Sequence, residues 1–249
     1  LAKRKKTITA GRLVSGVIYT MHHPRDDAKA RAAKSQMSSA ARERMNLKKS
    51  WEKLEMVLAG NFKVTDLHVT FTYRDANLPP DRQAANKLIK KLLAQLRAYR
   101  KARGQELKYV YVTEGQHGDA RFHHHVVINS TGADFDVIRS LWIHGEVDFE
   151  LISVTGYTVL AQYLTKEPRE YGKAEVGERT WTPSLGLKKP EVEVAYVPDN
   201  ITLTAPPGAI ILDRDEKRNE FGEYLYIKYL LPEPPPELPE KYRRKRKRK

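Results

Sequence analysis

Arg121-Phe122-His123-His124-His125-Val126-Val127-Ile128-Asn129 reads as a β-strand, because Phe122, Val126, Val127 and Ile128 are strand formers and Gly118 and Gly132 punctuate its ends. Side chains alternate along a strand, so His123 and His125 project from one face and His124 from the other. Two imidazoles two residues apart on one face can converge on a metal ion. A strand that served only to pack a core would carry Val or Ile here, since burying an imidazole without a partner costs about 1–3 kcal/mol. His123 and His125 are therefore candidate metal ligands.

A third ligand has to come from a neighbouring element. Residues 107–113 form the preceding strand, and 114–120 make a Gly-containing hairpin into the His strand. Glu114 closes that preceding strand, and the hairpin returns its end beside the imidazoles; His117, within the loop, is the rival. Two His and one carboxylate leave positions open for substrate oxygens, as a catalytic ion requires. The nitrogen and oxygen donors suit Mg²⁺ or Mn²⁺, and Zn²⁺ fits the same set. The chain has no cysteine, which excludes disulfides and thiolate sites.

Upstream, residues 64–73 alternate cleanly. Leu67, Val69, Phe71 and Tyr73 share one face, and His68, Thr70 and Thr72 the other. The polar face is either a floor for substrate or plain solvent-facing surface. Residues 28–59 read as a helix with Leu47, Trp51, Leu54 and Leu58 on one face. Asp81 caps a second helix reaching Gly104, with Leu88, Ile89, Leu92, Leu93, Leu96 and Tyr99 as its apolar stripe and Lys90 and Arg97 among its many cations. A short helix at 136–142, a strand at 146–154 and a helix at 156–166 follow. The last of these carries Tyr163 and Lys166, three apart and on one face; alone the pair is weak, and it gains weight by following a His-x-His strand.

The fold class is α+β: a central antiparallel sheet of about five strands with flanking helices, a split β-α-β core, and a β-rich C-terminal extension. Residues 1–60 are expected to form a basic N-terminal helical region, with 1–27 irregular by pattern, Val14, Val17, Ile18 and Tyr19 either a short strand or loosely packed, and His22-His23-Pro24 a turn. Residues 61–170 would form the core. Residues 171–231 would form the extension, with strands at 192–197, 201–204, 209–212 and 224–231. Residues 232–249 would be a Pro-rich linker and basic tail.

The net charge is +14, and eight of the last nine residues are Lys or Arg, yet the body is basic without them. Such an excess favours a polyanion, nucleic acid first. Thr70, Thr72, Arg121, Lys90 and Arg97 are the candidate nucleic-acid contacts. No apolar run approaches the roughly 18 residues that cross a bilayer, and no secretory signal is visible.

Taken together, these stretches resemble an HUH endonuclease, and within that superfamily the rolling-circle replication initiators (Rep) of small single-stranded DNA phages. Val69-Thr70-Phe71-Thr72-Tyr73 with Asn77-Leu78-Pro79 resembles the first family motif. Arg121 to His125 resembles the His-hydrophobic-His strand, and Glu114 stands where phage members carry a Glu ligand. Leu141-Trp142 with Gly145, Tyr163-Leu164-Thr165-Lys166 and Arg179-Thr180-Trp181-Thr182-Pro183-Ser184 follow in order. The middle motif position is usually apolar and here is His124. Val159 stands where some members carry a second tyrosine, and Tyr157 is expected to face away, so a single nucleophile is expected.

The resemblance implies an HUH/RRM-like core and a divalent ion (Mg²⁺ or Mn²⁺) on Glu114, His123 and His125. It also implies Tyr163 attacking single-stranded DNA at a replication origin to give a 5′-phosphotyrosyl link, with Lys166 in support. Helicase and polymerase would come from the host, since no Gly-x-x-x-x-Gly-Lys-Ser/Thr is present. A cytoplasmic place in a prokaryotic host follows, with a phage or other mobile element as origin. The competing readings are a non-catalytic RRM-like module stacking bases on Tyr109, Tyr111 and Phe122, an HUH relaxase or transposase, and a structural zinc site.

Overall fold

The computed structural model describes residues 3–21, 39–115, 121–152, 156–167, 179–219 and 222–233. His117, the His22–Pro24 turn, the start of the helix expected over 28–59, and the basic tail lie outside them. The chain divides into two units, one of His23–Glu191 and one of Leu1–His22 with Val192–Lys249.

The first unit is an α+β layer structure. Helix α1 (Ser39–Asn61) precedes strand β3 (Leu67–Phe71), and a 3₁₀ turn (Asp75–Asn77) leads into helix α2 (Arg82–Lys101). The Asp81 side chain accepts from the Ala84 N–H at 2.7 Å, as an N-cap should. Strands β4 (Tyr109–Glu114) and β5 (His123–Ile128) follow, then α3 (Phe135–Leu141), β6 (Val147–Leu151), α4 (Tyr157–Leu164) and the short β7 (Thr182–Pro183). The sheet order is β6-β3-β5-β4-β7, and its pairings are antiparallel throughout. Strand β5 thus lies between β3 and β4, which makes β3-α2-β4 the split β-α-β unit.

Strand alternation gives the sheet two differently used faces. On one, Leu67, Val69, Phe71, Tyr111, Val126 and Ile128 pack against α2 and α3. On the other, Val110, Val112 and Val127 pack against α1 and α4 through Leu54, Leu58, Ala161 and Leu164. The Trp142–Gly145 motif is structural. The Trp142 indole donates to the Thr72 carbonyl at 2.9 Å, and a Cβ at position 145 would stand 2.1 Å from that oxygen. Tyr109 and Tyr111 belong to the face under α2, which removes them as a free stacking surface.

The second unit corrects the irregular reading of the N-terminal residues and favours the alternative of a strand over 14–19. Lys3–Ala10 and Leu13–Thr20 are strands β1 and β2 of a tight hairpin, and Gly11 at φ 58° makes the turn. They join β8 (Glu191–Val197), β9 (Ile210–Asn219) and β10 (Gly222–Leu230) in a five-stranded sheet ordered β8-β1-β2-β10-β9. Residues 201–204 are not a strand; Leu203 instead packs with Ile18 and Ile227 as the small core of this unit. Lysine-rich β1 lacks apolar alternation, so its extended state depends on pairing to β2 and not on its own pattern.

Candidate metal centre and tyrosine

Register brings the site together. Glu114 lies opposite His123, and His125 lies between Val112 and Thr70. The chain turns after β4 at Gly115, where φ is 108° and a Cβ would stand 2.4 Å from the Arg121 carbonyl oxygen. The antiparallel pairing of β4 with β5 sets Glu114 beside the imidazoles. Glu114 Oε2 is 3.3 Å from His123 Nε2 and 3.7 Å from His125 Nε2. Their ligand atoms all lie within 4.8 Å of one another. Glu114 and His125 are each only 2% exposed, while His123 opens the cluster to solvent.

These residues fit a divalent ion. Glu114 Oε1 and His125 Nε2 are buried without hydrogen-bond partners, and orphaned polar atoms of this kind are costly unless something binds them. A carboxylate and two imidazoles are the donor set for Mg²⁺, Mn²⁺ or Zn²⁺. Burial pushes the Glu114 carboxyl up, but the hydrogen bond from His123 and the nearby His125 and Lys166 hold it well below the usual carboxylate range. Glu114 in turn raises His123, against the opposing effect of burial.

Tyr163 reaches the cluster from α4. Its ring centre is 5.0 Å from that of His125, edge-on at 73°, and it is 40% exposed. Lys166, just past the helix end, places its ammonium 3.2 Å from Glu114 Oε2 and 3.9 Å from the Tyr163 ring centre. Burial lowers the Lys166 pKa, but Glu114 more than offsets it and the group is held above its ordinary value, as a cation. Tyr157, at the other end of α4, donates to the Phe62 carbonyl at 2.6 Å and anchors the helix, as expected of a residue facing away.

The other expected residues are dispersed. Thr70 Oγ1 lies 3.2 Å from His125 Nδ1 and belongs to the site. Thr72 and Arg121 serve the neighbouring chain: Thr72 Oγ1 accepts from the Glu146 N–H at 3.3 Å, and Arg121 pairs with Asp75 and donates to the Tyr73 carbonyl at 2.8 Å. Arg97 bonds the Tyr109 hydroxyl on the α2 side. Lys90 lines a separate cleft of about 150 Å³ with Arg82, Arg179 and Trp181.

His68 escaped sequence reasoning. Its Nε2 is 3.2 Å from His125 Nδ1, and its Nδ1 is 3.1 Å from Glu150 Oε2. The signal was its place on the polar face of β3, but only the pairing of β3 with β5 shows which residue it meets. Burial and the nearby His125 charge lower the His68 pKa despite Glu150. His124, on the opposite face, accepts from the Tyr73 hydroxyl at 2.6 Å and donates to Thr113 at 2.8 Å. It is a satisfied core histidine, and burial pushes its pKa down to about 3.

Residues 66–168 match the family of the replication-associated protein ORF2. The match supports an HUH/Rep assignment for this segment, and Glu114, His123, His125, Tyr163 and Lys166 all lie within the matched residues. Searches of curated proteins and of solved structures return no match to the chain. Among the described residues, no helix is long and apolar enough to cross a membrane.

Proposed function

We propose that this chain initiates rolling-circle replication by nicking and rejoining single-stranded DNA at an origin through a 5′-phosphotyrosine. The observation that carries the proposal is the placement of the Tyr163 ring against His125, with the Lys166 ammonium between that ring and Glu114.

Glu114, His123 and His125 would hold the divalent ion, Mg²⁺ or Mn²⁺, which when bound supplies a Lewis acid to a phosphate oxygen of the DNA. Tyr163 is the nucleophile. Its oxygen forms a bond to phosphorus as the bond to the 3′-oxygen breaks, and the phenolic proton is balanced by the proton gained by the released 3′-hydroxyl. The phosphodiester is exchanged for a phosphotyrosyl ester, so attack by a 3′-hydroxyl rejoins the strand. Lys166 stays charged and steadies negative charge on the phenolic oxygen or the phosphate. The basic excess of the chain supplies affinity independent of sequence. Host helicase and polymerase would extend the free 3′-end.

The test is incubation of the protein with single-stranded DNA of the source element and Mn²⁺, followed by denaturing electrophoresis. A covalent protein–DNA band is expected with wild type and absent with Tyr163→Phe, which still binds DNA. A band of undiminished intensity in Tyr163→Phe overturns the assignment.

A further inference from the structure

We propose that His68 is a positioning residue: with Glu150 it forms a hydrogen-bonded chain that fixes the ring and tautomer of His125, so that the Nε2 lone pair faces Glu114 and His123. The proposal rests on the reading of that trio as a metal centre.

The directions of the bonds follow from the groups. Glu150 as a carboxylate can only accept, so His68 Nδ1 carries the proton across their 3.1 Å contact. A neutral His68 then has a bare Nε2, which accepts from His125 Nδ1–H at 3.2 Å. With its proton on Nδ1, His125 presents an unprotonated Nε2, the buried atom that has no hydrogen-bond partner and stands 3.7 Å from Glu114 Oε2. Every donor in the chain meets an acceptor, and the one acceptor left over points at the candidate ion position. An imidazole that binds a metal needs this polarity, and partners that enforce it are worth about 10–100-fold in metal affinity.

Placement also favours a specific role. His68 and His125 are both buried, with ring centres 5.2 Å apart, and they come from adjacent strands on the same sheet face. Glu150 comes from β6, the strand on the other side of β3, directly opposite His68. Three neighbouring strands thus each contribute one member, Glu150 directly opposite His68 and His125 diagonally across from it. Thr70 Oγ1, also 3.2 Å from His125 Nδ1, shares that proton, but its hydroxyl can donate as well as accept and does not by itself set the polarity.

The test uses the full chain with two readouts: the nitrogen chemical shifts of His125 in metal-free protein at pH 8, which report its tautomer, and calorimetric titration with Mn²⁺. Wild type is expected to hold His125 as the Nδ1–H tautomer. His68→Leu is expected to mix the tautomers and raise the Mn²⁺ dissociation constant about 10–100-fold. His68→Gln offers a carbonyl acceptor to His125 and an amide donor to Glu150, and is expected to restore most of both. If His68→Leu does not fold, the 65%-exposed Glu150 gives a second route: Glu150→Ala is expected to release the His68 tautomer. An unchanged His125 tautomer and Mn²⁺ affinity in His68→Leu, or an unchanged His68 tautomer in Glu150→Ala, overturns the proposal. Failure of wild type to bind Mn²⁺ would instead sink the metal-centre reading, while the tautomer measurement still decides the role of His68.

Discussion

The Lys166 ammonium sits 3.9 Å from the centre of the Tyr163 ring while its charge lies 3.2 Å from Glu114 Oε2. One cation therefore links the carboxylate of the metal cluster to the proposed nucleophile. Lys166→Met removes that charge and leaves a chain of similar length. Cleavage of single-stranded DNA at saturating Mn²⁺ is expected to slow about 10²–10³-fold, the scale of losing one preorganised electrostatic group. DNA affinity measured by fluorescence anisotropy should change little. An equal loss in binding and cleavage would mean that Lys166 only grips the backbone.

Metal affinity should depend on pH in a definite direction. Hydrogen bonding to Glu114 raises the His123 pKa in the metal-free protein, against burial. A metal must displace that proton. Mn²⁺ affinity is thus expected to fall as pH drops, beginning above the value of about 6.5 that governs an ordinary imidazole. Titration calorimetry at a series of pH values between 8 and 6 checks this, with Glu114→Gln as the control in which the onset moves to lower pH.

Stability in acid should hinge on Asp134. It accepts from the fully buried Arg100 at 2.7 Å and from the Thr131 N–H at 2.6 Å. Burial pushes the Asp134 carboxyl up, but Thr131 and Arg100 together hold it below its ordinary range. Its contribution is therefore full above the unfolded value of about 3.9 and is lost as pH falls through the lower folded value. At neutral pH, Asp134→Ala strands the Arg100 charge and is expected to cost about 3–5 kcal/mol. Urea unfolding of both proteins from pH 7 to pH 3 should show the difference shrinking in acid.

His124 should matter for stability and not for metal. Tyr73 donates to its Nε2, its Nδ1–H donates to Thr113, and Thr113 donates to Asn86 Oδ1 at 2.7 Å, tying α2 to the sheet. His124→Leu leaves the Tyr73 hydroxyl buried and unpaired, at a cost of about 1–3 kcal/mol. Thermal unfolding is expected to show this loss while Mn²⁺ titration stays native. A large drop in Mn²⁺ affinity with an unchanged melting point would reverse the assignment.

Much of the first unit was legible because its signals are local. Alternation in β5 put His123 and His125 on one face, a hairpin a few residues long brought Glu114 back beside them, and the helical stripe of α2 declared its buried side. These follow from the periods of the strand and helix and from the reach of a short turn, which a sequence carries in full. Tertiary pairing decided the rest. His68 meets His125 only because β3 lies against β5, and Tyr163 meets the cluster only because α4 docks on that face through Ala161 and Leu164. Arg97 bonds on the α2 side of the sheet and Lys90 lines a separate cleft, placements that their charge alone does not reveal. Strand β1 has no apolar alternation and is held by its pairing with β2. For His68 and Tyr163 the deciding contact joins residues far apart in the chain, and neither the composition nor the period of one segment specifies its partner.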